Sequence, residues 1–148
     1  MAWLKQVVAL ATGVAVTLWC ATAMGQRLPS SDQTLVGVFE GVRGCADCSG
    51  IQTRLTLYAE GPTIRTTGTF LLKETYLGRD VTNESSGRWR IVVGTPSDRK
   101  ASVYELTSDK TGSQQFWLRV SGDELRLLDQ ERRDVTSPTP QTLKRPGR

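Results

Sequence analysis

Nine residues, Ile51-Gln-Thr-Arg-Leu-Thr-Leu-Tyr-Ala59, alternate between apolar and polar side chains with little interruption. Successive side chains of an extended chain point to opposite faces, so a period of two marks a strand with one wet face and one packed face. Ile51, Leu55, Leu57 and Ala59 then face a core, and Gln52, Arg54 and Thr56 face water. Similar short segments recur: Thr34 to Glu40, Ile64 to Tyr76 with a bend or bulge at Gly68, "GRWRIVV", "ASVYELT", "SQQFWLRV" and "DELRLLDQ". In "GRWRIVV", Trp89, Ile91 and Val93 share one face and Arg88, Arg90 and Val92 the other. Turn clusters at Glu60 to Thr63, Asn83 to Gly87, Ser108 to Gly112 and Ser121 to Asp123 punctuate the run. Helical periodicity is nearly absent, and no interval is long enough for a crossover helix. Seven or eight strands at this spacing predict an all-β chain, an antiparallel barrel or sandwich whose last three strands form a meander.

The two ends read differently. Lys5 precedes an almost wholly apolar stretch, Val7 to Trp19, and small residues follow it at Ala21 to Gly25. That order is the pattern of a secretory signal peptide over residues 1–25, and the apolar run is shorter than the roughly 20 residues of a bilayer-spanning helix. No membrane span is expected after cleavage. Cys20 follows Trp19, a bulky residue unlike the small one a lipoprotein processing site accepts, so lipid anchoring at Cys20 is not expected. Residues 26–130 form the expected domain, and 131–148, with three prolines and few apolar residues, read as a basic disordered tail. The 148-residue chain has room for one modest core.

Charge excludes one class of partner. Residues 26–130 hold 13 Lys/Arg and 13 Asp/Glu, so the excess of positive charge sits in the tail. A domain with no net charge lacks the electrostatic footprint of a nucleic-acid binder. Enzymatic chemistry finds little support either. The chain has no histidine, so no Ser-His-Asp or Cys-His arrangement can form, and no Gly-rich phosphate loop opens a helix. Asp80, Glu84, Asp98 and Asp109 fall in turn-like segments, where solvation accounts for them. Trp89 and Phe116 read as core, and Trp117, between Gln115 and Arg119, reads as the better exposed contact for a ligand or partner.

Cys45-Ala46-Asp47-Cys48 lies in a Gly-flanked loop between the first two strands. Export to an oxidising compartment, periplasmic or extracellular, favours a Cys45–Cys48 disulfide, and the simplest role for it is to pin the loop between the first two strands. A redox catalyst of this spacing places its first cysteine at a helix N-terminus, and no helix follows here. Asp47 raises rather than lowers a neighbouring thiol pKa, with Arg43 partly opposing it. A metal site built from Cys45, Cys48 and Asp47 is short of ligands. Soft metals want thiolate or thioether with imidazole, and cleavage after Gly25 removes both methionines.

The run "GVFEGVRGCADCSGIQTRLTLYAEGPTIRTTGTFLL", followed by Tyr76-Leu77-Gly78 and Gly87-Arg88-Trp89, resembles the N-terminal domain of the NlpE copper-resistance and envelope-stress family over residues 34 to 130. The resemblance implies a small lipocalin-like antiparallel β-barrel in the bacterial envelope, with a role in envelope stress sensing or copper homeostasis. Well-known members are lipoproteins, and some carry a second barrel domain. It also implies a loop disulfide that switches shape with redox state, copper as the metal to consider at Cys45, Cys48 and Asp47, and Tyr76, in the matching Tyr76-Leu77-Gly78, as a further candidate contact residue. The runner-up expectation is a lipocalin-like binder of a small ligand or an envelope protein, its oligomeric state open.

Overall fold

Eight strands follow one another without a helix: β1 Gln33–Arg43, β2 Ile51–Glu60, β3 Thr67–Tyr76, β4 Val81–Val93, β5 Ser102–Ser108, β6 Gln114–Arg119, β7 Glu124–Leu128 and β8 Thr142–Lys144. Each pairs antiparallel with the next, and β8 returns to β1, so the sheet closes into an up-and-down barrel. The computed structural model describes residues 32–61 and 65–147. The expected signal peptide, with Cys20, lies outside them.

The alternation read from β2 holds. Leu55, Leu57 and Ala59 are fully buried, with Thr53 in the same row, and Arg54 lies on the outside. Trp89 of β4, Phe39 of β1, Phe70 and Leu72 of β3, and Leu106 of β5 join them in one continuous core. The Trp89 indole meets Tyr104 edge-on at 5.3 Å and donates its Nε1 hydrogen to the Tyr58 carbonyl at 2.9 Å. The middle of the barrel is therefore filled by side chains, as closure of eight strands permits.

Four expectations are corrected. β3 carries no bulge at Gly68, since its register against β2 and β4 is continuous there. Glycine stands there because any Cβ would fall 1.8 Å from the Tyr58 carbonyl oxygen and 2.8 Å from the Trp89 indole nitrogen. The barrel's register shift lies instead in β1, between Leu35 and Gly37. Asn83 to Gly87 is not a turn but part of β4, paired with Phe70 to Glu74, and the actual β3–β4 turn is Leu77 to Asp80.

Trp117 is buried, not exposed: it lies inside the barrel with its Nε1 donating to Gln115 Oε1 at 3.3 Å. Phe116 is buried as expected, but on the face opposite Trp117, where it packs with Val103 and Leu128 in a second cluster. Polar Gln115 and Arg119 disguised the inner face, because they lie toward the two ends of β6, where polar groups can stay hydrated. The outer face looks apolar because the chain after β7 runs near it. Leu128 bridges Asp134, and Gln130 Nε2 donates to the Gln114 carbonyl at 3.2 Å.

Residues 131–148 are likewise not a disordered tail in their described part. Leu143 of β8 is fully buried and pairs with Leu125 of β7, while Lys144 pairs with both Glu124 and Glu40. One apolar residue among prolines, threonines and cations leaves no period to detect, yet it supplies the strand that closes the barrel.

Candidate functional site

Up-and-down topology puts the β1–β2, β3–β4, β5–β6 and β7–β8 connections at one end of the barrel. The cysteine loop, Gly44 to Gly50, is therefore beside the β3–β4 turn. β1 delivers it at Arg43, paired with Ile51 of β2. Cys45 and Cys48 are joined by a disulfide with Cα atoms 5.3 Å apart, and both are half-buried, while Ala46, Asp47 and Ser49 are exposed.

A second clamp holds the loop from the neighbouring turn. Arg79 Nη2 donates to the Asp47 carboxylate at 2.8 Å and to the Asp47 backbone carbonyl at 2.7 Å. The Leu77 amide donates to the Gly50 carbonyl at 2.9 Å. Gly50 and Gly78 have positive φ, +148° and +81°, at the two ends of this contact. Tyr76 ends β3 opposite Ile51 and Val81, half-buried behind the loop. Its neighbour Leu77, rather than its ring, makes the backbone contact with the loop.

Arg43 does not offset Asp47 as the sequence suggested. Its guanidinium turns into the barrel, donates through Nε to Thr53 Oγ1 at 3.0 Å, pairs with the Glu74 carboxylate and lies 5.6 Å from the Trp117 ring centre. The cation that answers Asp47 is Arg79, which sequence reasoning missed. The only available signal was its place in the Gly78-Arg79-Asp80 turn, and a turn cation gives no indication of its partner.

The loop's chemistry follows from these contacts. With both sulfurs bonded to each other there is no thiolate, so neither cysteine can act as a nucleophile or a soft ligand in this state. The Asp47 carboxylate is held by Arg79. Among the described residues no three His, Cys, Asp or Glu side chains are grouped to hold an ion. This donor set does not fit copper while the disulfide is closed. Trp117 and Tyr76 are not brought together at an exposed contact.

The family model of the NlpE N-terminal domain matches residues 39–138, a span that contains the disulfide loop, the Arg79 turn and the first part of the chain after β7. This chain belongs to the NlpE family. It is 33% identical over 108 residues to Lipoprotein NlpE of Escherichia coli (strain K12), which covers 71% of this chain and 39% of that protein. The chain thus spans well under half the length of that relative. Two crystal structures are similar to the barrel. The Cpx pathway activator NlpE from Escherichia coli gives a TM-score of 0.50 at 30% identity, over 68% of this chain and 46% of that one. A putative lipoprotein from Shewanella oneidensis gives 0.51 at 32%, over 76% and 89%. The NlpE match reaches Pro138, beyond the boundary expected at residue 130, and stops short of β8 at Thr142–Lys144.

No helix among the described residues is long and apolar enough to cross a membrane. Cys20, the residue whose lipidation the sequence argued against, lies outside the described residues.

Proposed function

We propose that this NlpE-family protein is an exported, non-enzymatic envelope protein that presents its oxidised Cys45–Cys48 loop as a contact surface for another envelope protein in stress signalling. The observation that carries this reading is the double restraint on an exposed loop, closed internally by the disulfide and strapped to the β3–β4 turn by Arg79. A solvated connection needs neither. A recognition surface gains from both, because rigidity fixed before binding lowers the ordering cost of association. One similar structure is that of a protein described as the Cpx pathway activator, which supports a signalling role for the domain.

The test is an envelope-stress reporter read during overproduction in a bacterial host. Wild-type protein raises the signal. Asp47→Ala with Arg79→Ala lowers it severalfold at equal protein level and equal thermal stability, since both side chains are largely solvent-exposed. An undiminished signal from that variant removes the loop from the contact. Copper homeostasis is the second role the family suggests, and under this reading it requires prior reduction of the disulfide.

A further inference from the structure

The end of the barrel opposite the disulfide loop carries a separate cluster. Arg65 lies just before β3, Arg119 ends β6 and Arg145 follows β8, and the three line one cavity of about 150 Å³ with Phe39, Tyr104 and Leu125. Three guanidinium groups at one mouth repel one another and are stable together only when counter-charged or well hydrated.

Arg145 is fixed in place. Its Nη2 donates to the Val36 carbonyl at 2.8 Å and its Nε to the Gly122 carbonyl at 3.0 Å, and its guanidinium carbon stands 5.0 Å from the Phe39 ring centre. Asp123 pairs with it at 3.1 Å from an exposed position. Among the described residues neither Arg65 nor Arg119 has a carboxylate partner. One carboxylate against three guanidiniums leaves the mouth positive although residues 26–130 as a whole are neutral.

Tyr104 adds an independent observation. It is only 5% exposed, yet its hydroxyl has no hydrogen-bond partner among the described residues, and no buried side-chain nitrogen or oxygen there is left unpaired. Its hydroxyl is therefore not sealed off from open space, and Tyr104 lines this cavity. A hydroxyl and three guanidinium groups lining one cavity are a donor set suited to a tetrahedral oxyanion. The filled core leaves no channel beneath for a long alkyl chain.

The geometry points to a phosphate-binding site at this end of the barrel, made by Arg65, Arg119, Arg145 and the Tyr104 hydroxyl, for a phosphate group carried by a small phosphate ester or by a lipid headgroup. Arg145 is the pre-set member, and Arg65 and Arg119 supply the uncompensated charge.

Isothermal titration of the purified exported chain with inorganic phosphate at low ionic strength gives saturable one-to-one binding. Arg65→Gln and Arg119→Gln each weaken it about tenfold, as expected for one charged hydrogen-bond partner. Tyr104→Phe weakens it severalfold, and Arg132→Gln, in the connection after β7 at the other end, changes nothing. Both arginine variants keep the wild-type melting temperature, so a loss of binding is not a loss of fold. Flotation with phosphatidylglycerol and phosphatidylcholine vesicles separates the sources. Retention on the anionic vesicles that phosphate reverses assigns the site to a headgroup, and phosphate binding without retention assigns it to a free ester. Absence of saturable phosphate binding, or binding indifferent to Arg65→Gln and Arg119→Gln, overturns the proposal, whatever the vesicles do.

Discussion

Arg43 shows how far a residue's role can lie from its neighbourhood in the chain. Two positions before Cys45, it belongs to the barrel interior, where the Glu74 carboxylate, the Thr53 hydroxyl and the Trp117 ring receive it. Arg43→Ala leaves Glu74 mostly buried and uncompensated, and urea unfolding shows a loss of about 3 kcal/mol, the lower part of the range for breaking a buried pair. Arg43→Met with Glu74→Met recovers most of it. Trp117→Ala costs about 3 to 5 kcal/mol by the same measurement, as for a filled core position, whereas an exposed contact residue would cost under about 0.5 kcal/mol. Asp129 is a residue-scale pH probe. It accepts the Arg133 and Glu131 amides and the Arg133 side chain, and the Arg133 amide bond is the first cause holding its carboxyl below the ordinary 3.8. A depressed carboxyl stabilises the fold above its unfolded-state pKa and loses that contribution as pH falls through the folded-state value. The stability advantage of wild type over Asp129→Asn is therefore full near neutrality and shrinks below about pH 4.

Closure of the barrel rests on its shortest strand. β8 has three residues, and its contact with β1 is close enough that a Cβ on Gly41 would lie 2.5 Å from the Thr142 carbonyl oxygen. Leu143→Ala lowers stability by about 2 to 5 kcal/mol, the range for emptying a buried leucine site. Gly41→Val separates β1 from β8 and speeds amide exchange in β8 more than in β2 or β3. This closure was illegible in the sequence because Leu143 is a lone apolar residue, so burial there has no period to announce it. β2 was legible because its alternation is nearly regular and Leu55, Leu57 and Ala59 stay on one packed face, polar Thr53 being the inner residue the pattern did not announce. β6 lay between these cases: with Phe116 and Trp117 adjacent, either face could be the inner one. The polar flanks favoured the wrong choice, since chain-end side chains inside a barrel can remain polar. The cysteine loop was located from its residues, but its clamp was not, since Arg79 and Asp47 are 32 positions apart.

At the scale of the molecule, a filled barrel carries different chemistry on its two ends. The β1–β2 end holds the strapped disulfide loop, and the opposite end holds the arginine-lined mouth. The disulfide closes so short a loop that its chain-entropy contribution is only about 1 to 2 kcal/mol, so the barrel should survive its reduction. Reduced protein and Cys45→Ala/Cys48→Ala therefore keep the wild-type far-ultraviolet circular dichroism and melt within about 10 °C of it, on the usual conversion for a domain of this size. Anaerobic titration with Cu(I) finds no uptake by the loop in oxidised protein. Equal uptake by reduced wild type and the double variant would remove the loop from any copper role. All of this depends on the state of two sulfurs in the working protein, which can be read by acid-quenching cells, alkylating free thiols and weighing the mature chain before and after reduction. The account predicts that neither Cys45 nor Cys48 is labelled until reductant is added. Labelling of both in most molecules from unstressed cells would contradict it.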